Sequence, residues 1–335
     1  MNRWVLLGAL GLVGLLGAYS TTGEYRRASL WGDEWRGTPL TERVHILPQN
    51  IADALRGSTF ATGFGGKIAP AENAEYMLDD LREAIDSIPE PVKRLVEDHL
   101  IGVYLVQEMK LGENLNAAGL AFKTINFLHQ YVGTVILLDS VMMDKSPNQS
   151  LAGRSFVPFG KYGYYSLETD LADSGSGDRV TTLRTVLLHE LGHHIDYDRG
   201  IVPESFSHGE VVAPNCGFTC LSWRRTGLQR DGAQLRTAFM HLGKGEIKEY
   251  ALGMPKTLRA LKASNFPSLY GAMDPAEDFA DSFAMYVHTV VLGLPWEITF
   301  RVNGEIKAEI GSCFTDGRCP RKRAYFDALL AEAGS

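Results

Sequence analysis

The 335-residue chain predicts an α+β fold, and three features carry that prediction. VTTLRTVLLHELGHHIDY, from Val180 to Tyr197, places Val180, Leu183, Val186, Leu187 and Leu191 at helical spacing and requires a buried helix. DPAEDFADSFAMYVH opens on Asp274-Pro275, a helix-start signal, and predicts a second helix. TVILLD, from Thr134 to Asp139, is short and continuously apolar, the pattern of a buried strand.

The remaining elements follow in chain order. Residues 1–20, MNRWVLLGALGLVGLLGAYS, hold one early arginine, an apolar stretch and then small residues, with Ala18 and Ser20 suited to the −3 and −1 cleavage positions. This is a signal peptide or, uncleaved, an N-terminal anchor. Residues 21–41 read as a polar linker, and residues 42–335 as one large domain with a helical N-terminal portion, or two tightly joined lobes. Val44 to Leu47 reads as a short strand, and Glu72 to Ser87 and Val92 to Met109 as amphipathic helices parted by Pro89 and Pro91. Arg154 to Phe159 reads as another strand, DSGSGD from Asp173 to Asp178 as a loop, and Thr181 or Thr182 as the cap of the long helix. Gly200 to Leu269 is a long insertion with a helix expected around Leu235 to Leu242 and basic residues Arg224, Arg225 and Arg230. It is either a lid over the cleft or a structural excursion.

A net charge of −7 argues against a polyanion binder, so nucleic acid is not an expected partner. Cys216, Cys220, Cys313 and Cys319 fit an exported, periplasmic or extracellular protein with two short disulfides, Cys216–Cys220 and Cys313–Cys319; a four-cysteine zinc site is the alternative.

His189-Glu190-Leu191-Gly192-His193 is the chemically informative motif. Positions four apart share a helix face, so His189 and His193 can both aim an imidazole nitrogen at one Zn²⁺. Glu190 projects beside them, placed to reach a water rather than the ion, as a general base must. The rival reading is two core histidines and a partnered glutamate. A catalytic zinc keeps three protein ligands. The metzincin extension would need Gly and His where this chain has Asp196 and Arg199, and is excluded. Glu277 and Asp281 share one face of the second helix: Glu277 would complete His₂Glu coordination, and Asp281 would accept the other ring N–H of a ligand histidine. Asp196, Asp198, Glu204, His208 and Glu210 stay open as alternative ligands, Asp196 fitting better as support or helix cap. His194 points about 100° away and reads as a core residue.

HELGHHID followed by SLYGAMDPAEDFADSFAMYVH resembles the gluzincins, and within them the anthrax lethal factor type of catalytic domain. The resemblance covers roughly Val180 to Val290, matching at Tyr270 and Gly271, at Glu277, and at Phe279-Ala280-Asp281-Ser282-Phe283; Asp281 stands where that family usually has Glu. It implies a zincin-like metallopeptidase that cleaves internal bonds of a protein or peptide substrate. It also raises Tyr270, otherwise an ordinary core tyrosine, to a candidate oxyanion donor, with His288 as its rival. The alternatives are a cell-wall peptide amidase, which would use similar chemistry on a different amide, and a non-catalytic zinc-fold binding or assembly factor, against which the intact Glu190 counts. Membrane contact is expected only through an uncleaved N-terminal anchor.

Overall fold

The computed structural model describes residues 24–56, 68–107, 109, 117–144, 161–171, 179–203, 216–225, 228–229, 235 and 247–334. Its mixture of helices and sheets is compatible with the α+β expectation. Strand β1 (Val44–Ile46) leads through α1 (Gln49–Arg56), α2 (Glu75–Asp86) and α3 (Glu90–Val96) to β2 (Leu100–Val106). The hairpin β3 (Gly119–Ile125) and β4 (Tyr131–Asp139) completes a four-stranded sheet of order β1-β2-β4-β3. The first three strands of that order are parallel and β3 is antiparallel at the edge. Strands β5 (Lys161–Tyr162) and β6 (Tyr165–Asp170) precede the long α4 (Arg179–Arg199). Helix α5 (Ile247–Lys262), helix α6 (Pro275–Tyr286), strands β7 (Glu297–Val302) and β8 (Glu305–Gly311) and helix α7 (Pro320–Gly334) follow. A second sheet, antiparallel, has the order β8-β7-β6-β5. Met254, Leu258 and Leu261 of α5 pack on its Ile298, Phe300 and Ile310.

The first sheet is buried on both faces. Val103, Leu105, Ile136 and Leu138 face α2 and α4, whereas Ile101, Tyr104, Val135 and Leu137 face Tyr25, Trp31 and Trp35. This two-sided burial explains two departures from the sequence expectations. The predicted helix Val92 to Met109 ends at Val96, and its second half is β2, because LIGVYLV is apolar on both faces of a strand and shows no alternation to betray it. The predicted linker is structured from Glu24 onward in short 3₁₀ turns, with Trp31 Nε1 donating to the carbonyl of Tyr25 at 2.9 Å. Three aromatic residues in a polar stretch supply the core for the sheet's second face.

Helix α4 begins at Arg179, so Thr181 and Thr182 are buried interior positions rather than caps. Its far end stops where Gly200 takes φ +60° and donates to the Asp196 carbonyl at 2.8 Å. Cys216 is joined to Cys220 and Cys313 to Cys319, with Cα–Cα distances of 5.4 and 5.2 Å, as the spacing suggested. The second bridge anchors the start of α7, whose Phe326 packs on Phe279 and Phe283 of α6. Among the described residues, no helix is long and apolar enough to cross a membrane. Arg154 to Phe159, the loop 173–178, and residues 236–242 of the expected insertion helix lie outside the described residues.

Candidate metal centre

Helices α4 and α6 cross at Gly192 and Ala280, where a Cβ on Gly192 would stand 2.7 Å from the Ala280 Cα. Only glycine permits that approach, and the approach is what sets α6 beside the two histidines. His189 Nε2 and His193 Nε2 lie 3.1 Å apart, and Glu277 Oε2 is 3.2 Å from the first and 3.4 Å from the second. All three side chains are buried, and they form the one described group of ligating residues that could hold a metal ion, with ligand atoms within 4.8 Å of one another.

His189 Nδ1 lies 2.6 Å from Asp281 Oδ1. A carboxylate there takes the ring hydrogen, so Nε2 presents a lone pair to the centre. Glu277 Oε2 adds another acceptor and makes no hydrogen bond although buried. Acceptors facing one another are stabilised by a cation between them. Burial disfavours a charged His193, yet Glu277, followed by Glu190 and Asp196, outweighs burial and lifts its pKa to about 9, so the negative charge of the surroundings favours a positive charge at this point. Burial likewise opposes an ionised Glu277, but His193 and His189 hold its carboxyl far below the ordinary range. The donor set and its charge therefore fit a divalent cation.

Glu190 is buried beside this group on the next position of α4, against the edge strand. A Cβ on Gly119 of β3 would sit 2.5 Å from Glu190 Oε1, so glycine at that strand position makes room for the carboxylate. Two residues on, the carbonyl of Ala121 accepts from the Tyr197 hydroxyl at 3.4 Å, and the Tyr197 ring stacks at 6.3 Å on His193. Gly119 and Ala121 share a face of β3, so the strand runs along the metal helix. Among the described residues β3 is paired on one side only, by β4, apart from a single bridge between Ile125 and Arg27.

The other candidates fall into place around this centre. The Tyr270 ring lies 5.8 Å from that of His189, beside the group. His288 is turned to the fold instead, its Nε2 within 3.0 Å of the Leu171 carbonyl and 2.9 Å of the Pro295 carbonyl. Asp196 accepts from the Val202 amide at 2.6 Å and caps α4; burial raises its pKa to about 6. Asp198 pairs with His99 at 2.6 Å, and His194 is a buried core residue whose pKa burial depresses to about 3. Glu204, His208 and Glu210 lie outside the described residues.

Two residues emerge that the sequence did not single out. Ser268 donates its hydroxyl to Asp281 Oδ2 and accepts from the Gly271 amide at 2.8 Å, tying the SLYG turn to the carboxylate behind His189. Lys322 of α7 is buried against Asp278, next to Glu277, with Trp223 Nε1 donating to the other Asp278 oxygen at 3.0 Å. Its ammonium also lies 5.2 Å from the Phe218 ring and 5.0 Å from that of Phe266. Ser268 sits inside a segment already conspicuous for Tyr270, whereas Lys322 sits in RKRAYF, a charged run with no sign of burial. No protein-family model matches the chain, and comparison with curated proteins and with solved structures gives no significant match.

Proposed function

We propose that this chain is an exported zinc-dependent endopeptidase of zincin-like fold, hydrolysing internal peptide bonds of a protein or peptide substrate. The observation that carries the reading is the convergence of His189, His193 and Glu277 on one point, with Glu190 beside them and not among them. Two imidazoles and one carboxylate leave a tetrahedral ion a position for water, the arrangement of a catalytic rather than a structural zinc. Zinc held there would acidify water and polarise the scissile carbonyl.

The protein's own groups supply the rest. Glu190 takes a proton from the attacking water and delivers it to the leaving amine. Asp281, backed by Ser268, keeps His189 in the tautomer that leaves Nε2 for the metal. Tyr270, beside His189, donates a hydrogen bond to the oxyanion of the attacked carbonyl. The edge of β3 that is unpaired among the described residues would offer an extended substrate main-chain hydrogen bonds next to Glu190, a role the sequence suggested instead for Arg154 to Phe159, which lie outside the described residues. The disulfide pairs and the apolar leader support export to an oxidising compartment.

The test is metal analysis of the purified protein together with cleavage of an unbiased peptide library, wild type against Glu190→Gln. The expected outcome is one zinc in both proteins and hydrolysis in the wild type alone. Zinc in both with no cleavage by either would turn the reading towards a binding factor, and equal cleavage by both would remove Glu190 from the chemistry.

A further inference from the structure

The hairpin β3–β4 ends in a loop whose shape is fixed by its own side chains. Asn126 Oδ1 accepts from the Leu128 and Gln130 amides at 2.8 and 3.0 Å, and Asn126 Nδ2 donates to Gln130 Oε1 at 2.9 Å. The Asn126 amide donates to the Gln130 carbonyl at 2.9 Å, and His129 takes φ +60° at the apex. Those contacts leave Phe127 89% and Leu128 61% exposed, side by side at the tip. Nothing in the turn geometry calls for two large apolar residues there; Gly, Asn or Asp would serve it better. The other large exposed hydrophobics among the described residues are never adjacent in sequence.

What meets this tip is indicated by the path of the chain. Arg27 bridges Ile125, the last residue of β3, and Tyr25 packs edge-on against Phe122 at 5.6 Å. The described chain therefore begins at the tip end of the hairpin, and five residue steps separate Tyr19, the last of the apolar run Trp4 to Tyr19, from Glu24, a span of about 18 Å at most. Residues 1–32 carry three arginines and one glutamate in a chain of net charge −7, and Arg27 and His129 are exposed near the tip, whereas Lys123 reaches back over the Tyr197 ring at 4.9 Å. Two apolar side chains near the exposed Arg27, in a chain whose first residues are apolar and basic, match the surface of an anionic bilayer. A second copy of the chain fits less well, because Phe127 and Leu128 together bury only a few hundred Å², far below the roughly 800 Å² per partner of a stable dimer.

We propose that the β3–β4 hairpin tip is a bilayer-docking element, with Phe127 and Leu128 entering the headgroup–acyl boundary and Arg27 meeting anionic headgroups. Two side chains bind a bilayer weakly alone. With the apolar run retained as an N-terminal anchor a short tether away, their effective concentration at the membrane rises and insertion becomes a local event. The six steps from Gly119 to Ile125 span about 20 Å, so a docked tip leaves the Glu190 end of β3 clear of lipid. The inference does not rest on the peptidase reading.

A nitroxide placed at Leu128→Cys in the full chain tests it, the four native cysteines being held in disulfides. Accessibility of the label to oxygen and to a water-soluble nickel chelate is compared with and without phosphatidylcholine vesicles containing about a third phosphatidylglycerol. The expected result is a several-fold rise in the oxygen-to-nickel collision ratio on vesicles. An unchanged ratio in chain that floats with the vesicles, chain that does not float at all, or spin–spin broadening between labels would each overturn the proposal, the last in favour of a second copy as the occupant.

Discussion

His189 Nδ1 stands 2.6 Å from Asp281 Oδ1, and this contact determines which nitrogen of His189 faces Glu277. Because Asp281 would act through the ring while Glu277 would face a bound metal directly, the two carboxylates of one helix should respond differently to substitution. Glu277→Ala should abolish tight zinc binding. Asp281→Asn, which can no longer accept with full charge, should lower metal affinity or activity by about 10- to 100-fold. Metal titration against a competing chelator measures both, and equal losses would argue that Asp281 is itself a ligand.

Gly119 leaves the space that the Glu190 carboxylate uses, since a Cβ would approach Oε1 to 2.5 Å. Gly119→Val should displace the carboxylate without touching the three ligands. Zinc content should stay at the wild-type level while kcat falls by about 10²-fold or more, the scale of a lost or misplaced general base. Zinc loss in this variant would instead mean that β3 supports the ligands themselves.

The legible part of this protein was its local part. His189 and His193, and then Glu277 and Asp281, lie at four-residue spacing on two recognisable helices, so each pair could be read within a single element. That the pairs meet depends on Gly192 fitting against Ala280, a contact between residues 88 positions apart that leaves only a glycine in the sequence. The same limit hid β2, whose strand character arises from being covered on both faces, and the buried aromatic residues of 24–36, whose burial is decided by a sheet formed far along the chain. Ser268 and Lys322 work through long-range hydrogen bonds that no periodicity announces.

Lys322 and Asp278 are 1% and 0% exposed in their side chains, so each charge depends on the other. Lys322→Met should leave the Asp278 carboxylate buried with only its neutral partners and cost about 3–5 kcal/mol. Lys322→Met combined with Asp278→Asn removes both charges and should recover part of that loss, because the penalty lies in the uncompensated ion. Urea unfolding of these two variants and of Asp278→Asn alone measures the coupling. A double variant as unstable as the sum of its single changes would show the two residues to be energetically independent.

His288 supplies a pH dependence separate from the metal site. Burial holds its pKa near 4 against an ordinary 6.5, with its hydrogen bonds to the Pro295 and Leu171 carbonyls only partly offsetting that cost. The folded state therefore keeps the ring neutral while the unfolded chain takes up a proton below pH 6.5. Stability should fall progressively from about pH 6.5 to about pH 4, by on the order of 3 kcal/mol from this residue, and level off below, where both states are protonated. Replacing His288 with Gln, which can still donate to a carbonyl but carries no charge, should flatten that part of the profile while lowering stability at neutral pH only modestly. Unfolding midpoints measured across the range decide it: parallel curves for wild type and His288→Gln would assign the acid sensitivity to other groups.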